Sequence, residues 1–331
     1  MQKKYNKLES IPKPAVTWIY PKEITRPQLP GVKLVENVYV EMRDGIRLAV
    51  DIYHPEAEGR YPALLSMAPY LKEIQRYHPA LSHSIEAGAN GFFVPKGYIH
   101  VICQERGSGF SQGHWKMLGL KEQQDGYDLV EWIAKQPWCD GNVGMIGDSY
   151  WAWTQYLIAA QRPPHLRCIV PHDGGTDMYR DVFYQGGVFN AGVFSNDWIV
   201  DTIFQCTWPG HVEGKIPPIN LFADLASHPE DGSYYWERSP YTKIDQIEVP
   251  VLNCVTLTPL HSRGQLAVYP QIKAVKKLLV EPETGWGAHL RFLTSRPLNE
   301  YILRWLDYWL KGIDTGIMDE PEVAIFDNAT R

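Results

Sequence analysis

Six short and almost unbroken apolar runs constrain this chain more than any other feature of its sequence. They lie at 62–67, 98–103, 143–146, 168–170, 249–255 and 277–280. Runs of this length without polar alternation mark strands buried on both faces. Helical patterns fall between them, clearest over 124–136, where Tyr127, Val130, Glu131 and Ala134 recur on successive turns, and over 150–160. Strand and helix in alternation predict an α/β fold built on a parallel sheet. Ahead of this pattern, Arg43-Asp44-Gly45 joins two β-rich runs, which reads as a hairpin.

The remaining segments break the rhythm. Pro12, Pro14, Pro21, Pro27 and Pro30 punctuate an opening stretch read as an extended surface arm over 1–33. From 176 to 240 the strand pattern stops and the chain becomes aromatic, Gly-rich and Pro-rich. An insertion of that length inside an α/β core, here 34–175 and 241–315, predicts a helical cap. A strongly amphipathic closing helix over 298–310 ends at Lys311-Gly312, a basic last turn before a glycine cap. After it, 321–326 reads as a single strand opening something that does not follow.

Composition narrows the function. The 331 residues carry 32 Lys+Arg against 38 Asp+Glu, a net charge of −6 with no basic run, so nothing electrostatic points to nucleic acid. No stretch approaches the roughly 18 apolar residues of a membrane span. Met1-Gln2-Lys3-Lys4-Tyr5 has charge but no apolar run behind it, and the five cysteines lack CxxC spacing. Reduced core thiols and a cytoplasmic location are therefore expected. The 12 Trp and 19 Tyr imply a core and lid packed with rings, or an aromatic-lined pocket.

Chemistry concentrates at Gly147-Asp148-Ser149-Tyr150, directly after one buried strand and directly before a helix. A serine at such a turn stands above the sheet, and the N–H of Tyr150 can face a developing oxyanion. The same residue could instead be a plain helix N-cap. Trp151 also stands where the full elbow pattern has a second glycine. A nucleophilic serine needs a base, and in this architecture the histidine follows the last core strand. His289, in Gly285-Trp286-Gly287-Ala288-His289, occupies that place. The acid is less marked. No carboxylate follows the 249–255 strand, which leaves Asp173, one strand earlier, with Glu281 and Glu283 as alternatives. Tyr70, at the end of the 62–67 strand, could give a phenolic O–H to the oxyanion. Arg106-Gly107-Ser108-Gly109 lacks the ending of a phosphate loop and reads as a tight turn that sets Arg106 in a structural ion pair. No cluster has metal-ligand spacing.

Several blocks taken together resemble the CocE/NonD hydrolases, relatives of X-Pro dipeptidyl-peptidases, cocaine esterase and α-amino-acid ester hydrolases. They are Met42-Arg43-Asp44-Gly45, Pro69-Tyr70-Leu71-Lys72, the 106–113 turn, the 131–138 block, Gly147-Asp148-Ser149-Tyr150, Pro163-Pro164-His165-Leu166 and Asp307-Tyr308-Trp309-Leu310-Lys311-Gly312. The resemblance spans roughly 35–325. It implies an α/β-hydrolase fold with a helical cap and a serine hydrolase that cleaves an ester or amide through an acyl-enzyme without a cofactor. Ser149 would match the nucleophile, His289 the base, and Tyr70 with the Tyr150 N–H the oxyanion hole. Pro259 falls where many members carry the triad Asp. The family also continues into a β-domain; 316–331 would be the start of that domain, which is here missing or truncated, and the apolar surface so exposed would favour a homo-oligomer. The implied substrate is a small ester or amide; an X-Pro aminopeptidase and a degraded binding module are the other readings.

Overall fold

A single sheet of nine strands organises the chain in the computed structural model, which describes residues 29–73, 85–190, 193–216, 220–257, 262–281 and 295–325. In chain order the strands are β1 (Val32–Glu41), β2 (Arg47–Pro55), β3 (Tyr61–Ala68), β4 (Ile99–Gln104), the two-residue β5 (Gly113–His114), β6 (Cys139–Asp148), β7 (Leu166–His172), the two-residue β8 (Lys215–Ile216), β9 (Val251–Thr256), β10 (Lys276–Glu281) and β11 (Val323–Ile325). The main sheet runs β1-β2-β4-β3-β6-β7-β9-β10-β11. From β4 to β11 every pairing is parallel, while β2 lies antiparallel to both β1 and β4. The six runs that announced buried strands are six of the parallel ones, and β4 and β9 are buried at every residue.

The β1–β2 turn forms as the Asp-Gly pair predicts. Met42 N–H donates to Ile46 C=O at 2.8 Å, and Gly45 takes φ 81°. β11 differs from expectation. The strand read as opening a separate β-domain lies beside β10 in parallel register, Leu278 to Val323 and Val280 to Ile325, as the edge of the main sheet.

Helices cover both faces of the sheet. They are α1 (Asn90–Phe93), α2 (Leu120–Ala134), α3 (Tyr150–Ala160), α4 (Val193–Thr207), α5 (Leu221–Ala226), α6 (Ser233–Arg238), α7 (Ser262–Val268) and α8 (Arg296–Lys311). α8 lays Leu298, Ile302, Trp305, Leu306 and Leu310 against Leu64, Ile146, Val170, Leu252 and Leu279. Each such side chain contributes roughly 1.5–3 kcal/mol by burial. The helix starts at a Ser295 cap and stops at Gly312, whose φ of 66° only glycine adopts cheaply. α3 is buried on every side, because α2 and the sheet take one flank and an aromatic layer takes the other.

That layer comes from the 176–240 insertion, which holds a π-helical turn over Met178–Phe183 together with α4, α5 and α6. Trp198 of α4 lies 6.3 Å from the rings of both Tyr150 and Trp153, and Phe183 continues the stack to Tyr235. All five cysteines are buried with free thiols. Among the described residues, no helix is long and apolar enough to cross a membrane.

Candidate active site

β6 ends at Asp148 and α3 begins at Tyr150, so Ser149 alone makes the turn between them. Its backbone sits at φ 58°, ψ −120°, a conformation that costs a non-glycine residue about 1–3 kcal/mol and clusters at functional sites. The hydroxyl makes no capping bond to the helix, which is the bond the N-cap reading requires. What holds the turn is backbone. Ser149 N–H donates to His172 C=O at 3.0 Å, and Ser149 C=O accepts from Ala152 and Trp153 at 2.9 and 3.1 Å. Gly147 makes the close approach possible: at φ 150°, a Cβ there would fall 2.4 Å from the Cβ of Trp151. One glycine before the serine thus provides the clearance needed here, and Trp151 is tolerated at the second glycine position.

Tyr150 supplies the first amide of α3, one of those a helix leaves without an intrahelical partner. Its phenol is fixed away from that role. It donates to Glu105 Oε2 at 2.9 Å and accepts from Leu118 N–H at 3.2 Å. Burial, helped by the charge of Glu122, pushes the Glu105 carboxyl well above its ordinary pKa.

Tyr70 stands beside the same turn, its ring 5.8 Å from Tyr150 and 6.2 Å from Trp151. The indole N–H of Trp198 donates to its phenol oxygen at 2.8 Å, a bond that does not consume the phenolic proton. Lys72 anchors the loop that carries it. This fully buried ammonium lies 2.5 Å from Glu73 and 3.3 Å from Asp51 and donates to Asn37.

Asp173 follows β7 directly, at φ 49°. Its carboxylate accepts from Thr256 N–H at 3.0 Å and from Thr256 Oγ1 at 2.5 Å, which ties it to the end of β9. Burial first, then the nearby charge of Asp148, raises its pKa above the usual carboxylate value. His289, Glu283 and Pro259 lie outside the described residues. Among the described ones, Ser149, Tyr150, Tyr70 and Asp173 gather around the carboxyl ends of β3, β6, β7 and β9.

Two features had no sequence signal. Asp148 and Glu281, the latter one of the alternative acids, flank the ring of His172, a residue to which the sequence assigns no role. Elsewhere, Ser66 Oγ lies 2.7 Å from His100 Nε2, and Nδ1 of that ring meets Asn90. This Ser–His pair is completely buried, and burial drives His100 down to about 3. Ser66 also reaches the carbonyls of Ala87 and Ile146 at 2.8 and 2.7 Å, so the pair is a structural knot that fixes β6 just before Gly147. The 106–113 turn holds Arg106 as expected, paired with Asp125 at 2.6 Å and Asp44 at 3.0 Å.

Comparison with known proteins adds an independent line. The X-Pro dipeptidyl-peptidase (S15 family) domain matches residues 44–285. Cocaine esterase from Rhodococcus sp. (strain MB1 Bresler) is 39% identical over 155 residues, 46% of this chain and 26% of that enzyme. A CocE/NonD family hydrolase from Staphylococcus aureus superposes with a TM-score of 0.77 at 30% identity, over 88% of this chain and 53% of that one. An α-amino acid ester hydrolase shares the fold at 19% identity, with a TM-score of 0.67 over 90% of this chain and 57% of its own. The chain thus spans about half or less of the length of these relatives. Family match and sheet topology agree: the chain belongs to the X-Pro dipeptidyl-peptidase (S15) family and has its α/β-hydrolase fold.

Proposed function

We propose that the chain is a serine hydrolase acting on a small ester or amide through an acyl-enzyme. Ser149 Oγ attacks the carbonyl carbon while His289 takes its proton. The oxyanion so formed accepts from the Tyr150 N–H and the Tyr70 phenol. Collapse expels the alcohol or amine, which collects the proton from His289. Water then repeats the sequence and releases the acid. Asp173 orients the imidazole and stabilises its charged form. The 176–240 insertion is the cap, and its aromatic underside bounds the substrate space. The family's names favour ester and X-Pro peptide substrates, and the ester reading rests on the cocaine esterase match.

The observation that carries this proposal is the backbone of Ser149: strained, at a strand-to-helix turn, with its hydroxyl unspent on the helix. A fluorophosphonate probe tests it. Wild-type protein is expected to label covalently and Ser149→Ala is not. Folded wild-type protein that fails to label rejects the enzyme and leaves a binding module of the same fold. For the acid, Asp173→Asn is expected to lower p-nitrophenyl acetate turnover by a factor on the order of 10²–10⁴, far more than Glu283→Gln. Equal effects remove Asp173 from the mechanism.

A further inference from the structure

Behind Ser149, a buried row of charge crosses the carboxyl ends of β6, β7 and β10, and the proposed chemistry uses none of it. Asp148, His172 and Glu281 are the last residues of those strands. Their side chains are 0%, 0% and 1% exposed. Strand register pairs Asp148 with His172 and sets His172 beside Cys254 of β9. The imidazole therefore reaches over β9 to Glu281. Nε2 lies 2.7 Å from Glu281 Oε1, and Nδ1 lies 3.1 Å from Asp148 Oδ1. A neutral ring has one N–H and one lone pair, so it would turn a lone pair toward a carboxylate on one side. Only the imidazolium is attracted to both carboxylates, by a hydrogen bond at Nε2 and by charge at Nδ1.

His172 also grips the nucleophile turn twice. Its carbonyl accepts from Ser149 N–H, and its ring pairs with the carboxylate of the residue before that serine. We propose that His172, as an imidazolium, is a positioning residue for Ser149: it locks the strained turn onto β7 and ties that turn across β9 to the end of β10, from which the chain runs on to His289. This rests on the serine hydrolase reading above. The proposal fits the energetics of the site. A buried carboxylate at position 148 is costly without a cation, and the fully buried Asp148 and Glu281 would otherwise face each other across the sheet. The titratable groups around the ring are Asp148 on β6, Asp173 next along the chain, Cys254 on β9 and Glu281 on β10; on α3 the nearby phenol of Tyr156 is engaged with Asn253.

Misplacing reacting groups by about 1 Å costs about 100-fold, so a partial loosening of this turn is expected to cost about tenfold. The test uses the full chain, with p-nitrophenyl acetate turnover normalised to the fraction that fluorophosphonate labels. His172→Gln is expected to lower kcat about tenfold and leave KM within about twofold, because substrate contacts are intact. His172→Lys, which restores a cation, is expected to recover most of that loss. Glu281→Gln is expected to cost only about threefold, since it removes one of two partners. Ring nitrogen NMR of ¹⁵N-histidine wild-type protein is expected to show both nitrogens of His172 protonated at about pH 8, beyond the ordinary range of imidazole.

A neutral His172 ring at neutral pH overturns the proposal even if His172→Gln fails to fold. So does a folded His172→Gln with wild-type kcat. A loss of a thousandfold or so in Glu281→Gln also overturns it, by making Glu281 the acid that touches the catalytic base. Failure of the wild type to label at all is a different result: it rejects the hydrolase, while the NMR readout still decides whether the charged row exists.

Discussion

Ser149 is held in a costly backbone conformation by backbone hydrogen bonds and by the clearance at Gly147. The amide goes to β7, the carbonyl to the first turn of α3, and the space is cleared by Gly147. Nothing in that arrangement occupies the hydroxyl, which is what a nucleophile requires. Tyr70 is the complementary case, a phenol fixed by a bond it accepts. Tyr70→Phe keeps the ring packing against Tyr150 and Trp151 but deletes the O–H. Steady-state kinetics of this variant on p-nitrophenyl acetate should show kcat lower by about 100-fold with KM little changed, the pattern of a lost oxyanion donor. A large rise in KM at constant kcat would instead place the phenol in ground-state binding.

At the level of elements, buried ion pairs stitch strands and helices where apolar packing runs out. Arg106 joins the turn after β4 to Asp125 on α2 and to Asp44 in the β1–β2 hairpin. Arg106→Met leaves the buried Asp125 uncompensated, so urea denaturation should report a loss of about 3–5 kcal/mol. The charged row behind Ser149 makes a different prediction. Burial alone would lower the pKa of His172, but the charges of Asp148 and Glu281 outweigh it and hold the ring well above its ordinary value. An imidazolium with a raised folded pKa stabilises fully below about 6.5, the unfolded value, and that contribution drains away as pH climbs through the folded value. The stability gap between wild type and His172→Gln should therefore be widest in mild acid and narrow toward alkaline pH; a gap that widens with pH contradicts a charged ring. Much of this level is legible in the sequence. Strands buried on both faces leave unbroken apolar runs, and the Asp44-Gly45 turn and the Lys311-Gly312 stop have local causes. β11 is not legible as part of the sheet, since three residues on an edge carry no pattern. The row itself is equally silent: His172 and Glu281 are 109 positions apart and meet only because the sheet order puts their strand ends side by side. α4 hides for another reason, because Val200 and Phe204 break its apolar face by standing exposed.

For the molecule as a whole, the sheet and the 176–240 insertion meet through rings more than through charges. The layer runs from Tyr70 and Tyr150 through Trp198 and Phe183 to Tyr235, Tyr184 and Phe189. The 113–114 and 215–216 pairs add a small backbone seam, with Gly113 N–H on Gly214 C=O at 2.7 Å. Trp198→Phe preserves most of the ring contact and removes one neutral bond. That bond is worth about 1 kcal/mol, so kcat/KM should fall about fivefold while hydrogen exchange in α4 speeds up. The deeper consequence concerns how such a protein can be regulated or redesigned. Under the proposed mechanism, the indole that steadies the Tyr70 phenol makes α4 a working part of the oxyanion site. On that mechanism, a change that shifts α4 to admit a bulkier substrate would also unseat Tyr70, so a wider site and an unimpaired rate would be opposed demands on Trp198.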